Sequence, residues 1–462
     1  MIQVVYFITF VLMIIHILKR IKKDGFISLY VVFVFSVSFF FLFIPPIVFS
    51  NNIDSILMGV IISNSTEADR WKAYFYILIM LGTIVLSNRV SIVIKKNYTS
   101  IPPSYTSLTD SNDVKQIIHD VSKPWFIILL IIGLVGFMML VSQLGLRGMV
   151  EMSGSARGAS GVLTDSNAVV GYGKIFAKCI IASLSPGLLL YQLNKKGIFR
   201  IVLIIIFLMS FLLEIFIAGK TNFILFLAPF AIYFFTGNAG KVKTKYLVIL
   251  SILVLVFVFL LDDWFYYLSN GVAVSTYRTS WTANDYFLRY IREFIYPYAN
   301  LLNVDKMNQE FGYRFFIDIP ATVINFIPAA LLGGFKMTML YKEVSQYYQS
   351  LGSRSVDGVP SDYLNYAFRQ AGLFSVFIIT FIRIQLFKVI DNEVKNVKHN
   401  CDIIGINGNH FITCCYSFGF ISVLMEPHLA FKSQPILICS VIIAMQISNR
   451  LKRLSNMKKI VE

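Results

Sequence analysis

The stretch "FFIDIPATVINFIPAALLGG", residues 315–334, decides how many times this chain crosses a membrane. It is apolar enough to suggest a spanning helix. Asp318, Pro320 and Pro328 oppose that reading, as does its short apolar core. Counting it as a span would also flip every later loop and move the basic C-terminus to the other side. The segment therefore reads as re-entrant or interfacial.

On either side of it lie apolar runs near 2–18, 26–49, 73–94, 124–143, 174–193, 200–218, 222–237, 246–262, 372–390, 403–424 and 429–447. Each approaches the roughly 17–25 residues that carry a helix through a bilayer. Helices satisfy every backbone polar group within the segment, and the two-residue alternation of a barrel is absent. The chain is 56% hydrophobic and only 14% charged, and its mean hydropathy is +0.70. An ordinary soluble domain is excluded. The expected fold is all-α: a polytopic membrane protein of about eleven spans.

The net charge of +16 is placed in short clusters between runs. Lys19/Arg20/Lys22/Lys23, Lys95/Lys96, Lys195/Lys196/Arg200, Lys241/Lys243/Lys245, Lys388/Lys395/Lys398 and Arg450/Lys452/Arg453 fall in alternate connections. That is the pattern of cytoplasmic loops, not of a nucleic-acid surface. It puts the N-terminus outside and the C-terminus inside. The first run precedes "KRIKK" and lacks a cleavage site, so it reads as a retained anchor. Of the five cysteines, none falls in an outer segment, so no disulfide is expected, and no zinc-ligand spacing is present.

The chain divides into 1–262 with an outer loop at 144–173, a long extracytoplasmic region at 263–371, and 372–462 with the basic tail. No internal repeat is evident, which argues against an inverted-repeat carrier. Apart from Glu214 and Lys178, the spans read as lacking ionisable residues.

The outer region favours arginine: Arg278, Arg289, Arg292, Arg314, Arg354 and Arg369. Lysine suffices for topology, whereas a guanidinium fork grips phosphate or carboxylate at two points. These arginines either bind such a group or pair with Asp285, Glu293, Asp318, Asp357 and Asp362 to hold the region together. "NDYFLRYIREFIYP" reads as a helix capped by Asn284, carrying Asp285 in its first turn and ending at Pro297. Its tyrosines suit sugar faces or a membrane-interface belt. In "DGVPSDYLNYAF", Pro360 is placed to start a helix with Ser361 and Asp362 in its first turn and Asn365 and Arg369 on one face. Asp362 either caps that helix and pairs with Arg369, or accepts a proton from an attacking hydroxyl. "GKT" at 219–221 lacks the rest of a P-loop, and the histidines show no ligand spacing.

Many spans, no soluble domain, two outer loops, "AGKTNFILFLAPF" at a tight turn and R-x-x-x-G-V-P-S-D-Y from Arg354 together resemble the O-antigen polymerase (oligosaccharide repeat-unit polymerase) family of bacterial surface polysaccharide assembly. Arg157 and Gly173 match a widely spaced Arg…Gly pattern of that family's outer loops. Where members carry a glutamate after the P-S stretch, this chain has Asn365 and Tyr366, so an acid role passes to Asp362. The resemblance implies a metal-independent glycosyltransferase without cofactor, in the inner membrane. It would join undecaprenyl-diphosphate-linked oligosaccharides alongside a flippase and a chain-length regulator. Arg354 and Asp362 would be catalytic. Arg157, Arg289, Arg292, Arg314, Arg369 and Asp285 would contact substrate. An O-antigen ligase shares the plan, and a lipid-linked sugar or ion-coupled transporter is the rival class.

Overall fold

A computed structural model describes residues 1–24, 27–49, 61–62, 64–90, 111–151, 168–194, 197–217, 294–327, 335–351, 361–424 and 435–461, with positions 223, 226, 227, 267, 291, 332 and 426. The described residues are helical and contain no strand. They fall into two compact units.

The first unit draws on 1–94, 280–389 and 419–430. It opens with α1 (Ile2–Asp24) and α2 (Leu29–Ser38). Ser28 caps α2 by accepting from the Val31 amide at 3.2 Å. The helix then widens into a π-helical turn, Phe39–Phe43, before α3 (Ile44–Phe49). The cause is the Pro45-Pro46 pair. Neither proline can donate an amide, and their rings press on the preceding turn, so the ladder relaxes to a five-residue bond from Ile44 to Phe39. α4 (Glu67–Arg89) starts at a capping box. The Asp69 amide donates to Thr66 Oγ1 at 3.1 Å, and the Thr66 amide donates to Asp69 Oδ2 at 3.0 Å.

The second unit contains α5 (Ser111–Glu151), α6 (Ala168–Asn194) and α7 (Gly197–Ile217). α5 breaks at Gly145, whose φ of +67° suits a residue without Cβ. α5 and α6 touch backbone to backbone. A Cβ on Gly133 would lie 2.4 Å from the Ile180 nitrogen, and one on Gly136 would lie 2.3 Å from that of Ala177. Small residues at such a contact let dispersion act at short range where lipid removes the hydrophobic drive. Gly136→Ala should therefore force the helices apart and cost about 1–3 kcal/mol. Thermal unfolding of the detergent-purified variant checks this, and an unchanged midpoint would refute the tight contact.

The first unit continues with α8 (Tyr296–Phe311), α9 (Asp318–Phe326) and α10 (Leu340–Ser350). The chain then runs through α11 (Tyr363–Ile403), α12 (Asn409–Leu424) and α13 (Pro435–Val461). Pro297 opens α8 rather than ending a helix, because a first-turn amide has no partner to lose. Cys401 lies buried near the end of α11.

Among the described residues, eight helices are long and apolar enough to cross a membrane. They cover eight of the eleven expected runs. The runs 222–237 and 246–262 lie almost wholly outside the described residues. α12 has 16 residues, fewer than a full crossing uses. α9 has nine residues, about 14 Å of rise against a core of about 30 Å. These nine residues alone are too few to span, and residues 328–331, 333 and 334 lie outside the described set.

Candidate functional site

The polar residues of the first unit gather where α8, α10 and the start of α11 meet the turn before α9. α11 is broken at Ala371 (φ −161°, ψ 40°) and Gly372 (φ +67°, ψ −148°). The break is a reversal: Tyr363 Oη lies 2.7 Å from Thr380 Oγ1, 17 residues away. Gly372 suits the left-handed backbone, and the Tyr313 hydroxyl stands 3.4 Å from where a Cβ would sit. Ser375 Oγ accepts from the Ala371 amide at 2.8 Å and donates to the Ala367 carbonyl at 2.6 Å. The reversal frees the carbonyls of Arg369 and Gln370 from the helical ladder. They accept instead from the Arg314 and Phe315 amides at 2.9 and 3.0 Å. Phe315 and Phe316 carry φ of 44° and 64°, a strained backbone for non-glycine residues that this pairing holds in place.

The turn presents Arg314 to Asp318 one helical turn later. Nε to Oδ2 is 2.9 Å and Nη2 to Oδ1 is 2.7 Å, a bidentate fork. Arg314 Nη1 also binds Glu343 Oε1 on α10, and Glu343 Oε2 lies 2.6 Å from Arg369 Nη2. The sequence of charges is Asp318, Arg314, Glu343, Arg369, and the set is neutral. Both arginines are buried. Gln370 Nε2 donates to Asp318 Oδ2 at 2.8 Å, while its Oε1 accepts from the Phe316 amide at 2.7 Å. Arg369 Nη1 donates to Asn308 Oδ1 at 2.5 Å and to the Gly312 carbonyl at 2.8 Å.

Asp362 is buried just ahead of α11. Its Oδ1 accepts from the Leu364 and Asn365 amides, both at 3.0 Å, so it caps the helix from outside the first turn. Its Oδ2 accepts from Asn300 Nδ2 at 3.0 Å, and Tyr348 Oη donates to Asn300 Oδ1 at 2.9 Å. Burial pushes the Asp362 carboxyl up to about 7, against the pull of these hydrogen bonds. Asp362 does not pair with Arg369. Glu343 on α10 takes that arginine instead. Glu426 is also buried, with Oε1 facing the Tyr341 amide at 3.3 Å. Burial and then the negative Asp318 drive its carboxyl well above the usual range.

Four side-chain atoms in this cluster have no partner among the described residues. They are both side-chain atoms of Asn365, Nε of Arg369 and Nδ2 of Asn308. Asn365 and Arg369 sit one turn apart on the short leg of α11, and neither is exposed. Unfilled donors and an acceptor at one buried place leave capacity for a hydroxyl-bearing ligand or for water.

Of the candidate residues, the ion-pair cluster unites Arg314 and Arg369, while Asp362 sits seven residues before Arg369 and bonds to Asn300. Arg157, Arg289, Arg292, Arg354 and Asp285 lie outside the described residues. The sequence reading missed Glu343, Glu426, Asn300 and Tyr348. Only Glu343 left a local trace, a polar position on the amphipathic "LYKEVSQYYQS". It also missed Arg383, a charge in the middle of a span. Arg383 lies over the Tyr363 ring, 3.9 Å from its centroid, and donates to the Ser422 carbonyl at 2.7 Å. Ring face and carbonyl replace the water a guanidinium would otherwise require.

The chain matches no protein-family model, no curated protein and no solved structure.

Proposed function

We propose that this protein joins undecaprenyl-diphosphate-linked oligosaccharide repeat units into a surface polysaccharide, O-antigen or capsule, on the outer face of the cytoplasmic membrane. The observation that carries the reading is a buried carboxyl raised to about 7 just ahead of the short leg of α11, with the unfilled amide of Asn365 after it and the buried, Glu343-paired guanidinium of Arg369 towards the other end of that leg. Transfer to a sugar hydroxyl draws on each group. Asp362 takes the hydroxyl proton. Arginine, with Arg354 the candidate for this role, offsets charge growing on the departing diphosphate. Asn365 reads a sugar hydroxyl through its donor and acceptor.

Arg383, with buried Glu214 and Lys178, favours a second reading, since charges in mid-span mark transport paths. That reading is a flippase for the same lipid-linked sugar. Deleting the gene separates the classes. Surface glycan reduced to single repeat units indicates the polymerase. Loss of all surface glycan, with repeat units trapped inside, indicates the flippase. Long chains left on the lipid carrier indicate a ligase.

The proposed topology has eleven spans with the N-terminus outside. Single cysteines at Gln309 and Ser353, in a cysteine-free background, should label with an impermeant thiol reagent in intact cells. One at Lys241 should not, and labelling there would refute the arrangement.

A further inference from the structure

The turn and helix over 313–327 are inside out. Arg314 and Asp318 are 7% and 3% exposed, and Ala321 is buried with them. Phe315, Ile319 and Val323, on the other side, are 71%, 61% and 65% exposed, and Tyr313, Ile317 and Ile327 are exposed as well. A helix in water turns its charges out and its apolar stripe in. Here the charges are held inward by the Arg314–Asp318–Glu343 contacts, and the apolar side chains have nothing over them.

We infer that 313–327 lies in the plane of the bilayer surface, with its apolar face among the acyl chains and its charged face against the Arg369 cluster. Two further observations select lipid as the occupant. The patch is continuous with the outer face of a spanning helix. Tyr313 adjoins Gly372, and the long leg of α11 then exposes Phe374 and Phe377. At the C-terminal end of α9, Lys336 binds the carbonyls of Asn325 and Ile327. That amine satisfies carbonyls facing the headgroup layer, where long cationic side chains settle. The nine residues of α9 are too few to cross, so an in-plane position is the one that keeps its charged edge against the polar cluster and its apolar side in lipid. The consequence is positional: the Arg314–Glu343–Arg369 cluster is fixed at headgroup depth. This holds whichever reaction the protein performs.

Nitroxide labels at Ile319→Cys and Val323→Cys, in full-length cysteine-free protein reconstituted in phosphatidylcholine–phosphatidylglycerol vesicles, test it. Collision with oxygen should exceed collision with an aqueous nickel chelate, placing both labels about 5–10 Å below the phosphates. A label at Gln309 should show the reverse ordering. Nickel-dominated collision at 319 and 323 overturns the inference in favour of a water-facing cap. Labels shielded from both reagents overturn it in favour of a protein partner. Wild-type protein in vesicles with a photoreactive acyl-chain lipid supplies a check without substitutions. Adducts are expected in the peptide 313–327 as on the exposed face of α1. Their absence there, with α1 labelled, also overturns the inference.

Discussion

Asp362→Asn should leave cells displaying single repeat units without long chains, at normal protein level, with elongation down about 10²–10⁴-fold. The substitution is sharp because the structure accommodates it. Asparagine caps a helix about as well as aspartate, so the bonds from the Leu364 and Asn365 amides survive. The new amide would meet Asn300 Nδ2, donor against donor, but Asn300 can turn over and give its own amide to Tyr348 Oη. What is lost is the carboxylate. Its pKa of about 7 adds a second signature. A base works only when deprotonated, so wild-type elongation should rise with pH through about 7. Chains of wild-type length from Asp362→Asn would assign Asp362 to capping alone and move the proton acceptor to Asp285 or Glu293. Asp362→Leu serves as the contrast, since it removes the cap and should lower protein level itself.

Glu343→Ala should be the most destabilising single change in the described polar cluster, costing about 3–5 kcal/mol. One carboxylate binds two buried guanidiniums, Arg314 through Oε1 and Arg369 through Oε2. Arg314 keeps Asp318 after the substitution, but Arg369 keeps only the neutral acceptors Asn308 and Gly312. An uncompensated buried cation follows, and the backbone pairing of 314–315 with 369–370 is loosened with it. Thermal unfolding in detergent and hydrogen exchange over 369–375 read the effect. Glu343→Gln should be milder, because it keeps an acceptor for one arginine. Equal, small losses from both variants would show that the ion pairs are dispensable.

The class of this protein is written along the chain. A spanning helix closes its backbone hydrogen bonds within four residues of each donor and needs only about 20 apolar residues in a row, so run length alone reveals it. The break before the long leg of α11 was legible for a related reason, since glycine at 372 announces a backbone only glycine adopts readily. Arg314–Asp318 is an i,i+4 pair and could be read locally. The rest of the site could not. Glu343 reaches partners 29 and 26 residues away, and Asn300 reaches Asp362 across 62. Whether Asp362 pairs with Arg369 or yields it to Glu343 depends on which helix packs beside the reversal. The outward face of 313–327 was decided in the same way. Its sequence gives alternating charge and apolar bulk, and only the burial of Arg314 with Asp318 against α10 sets which side meets the lipid. Local bonding fixes what a one-dimensional pattern can carry, and packing between distant segments fixes the partners of buried charge.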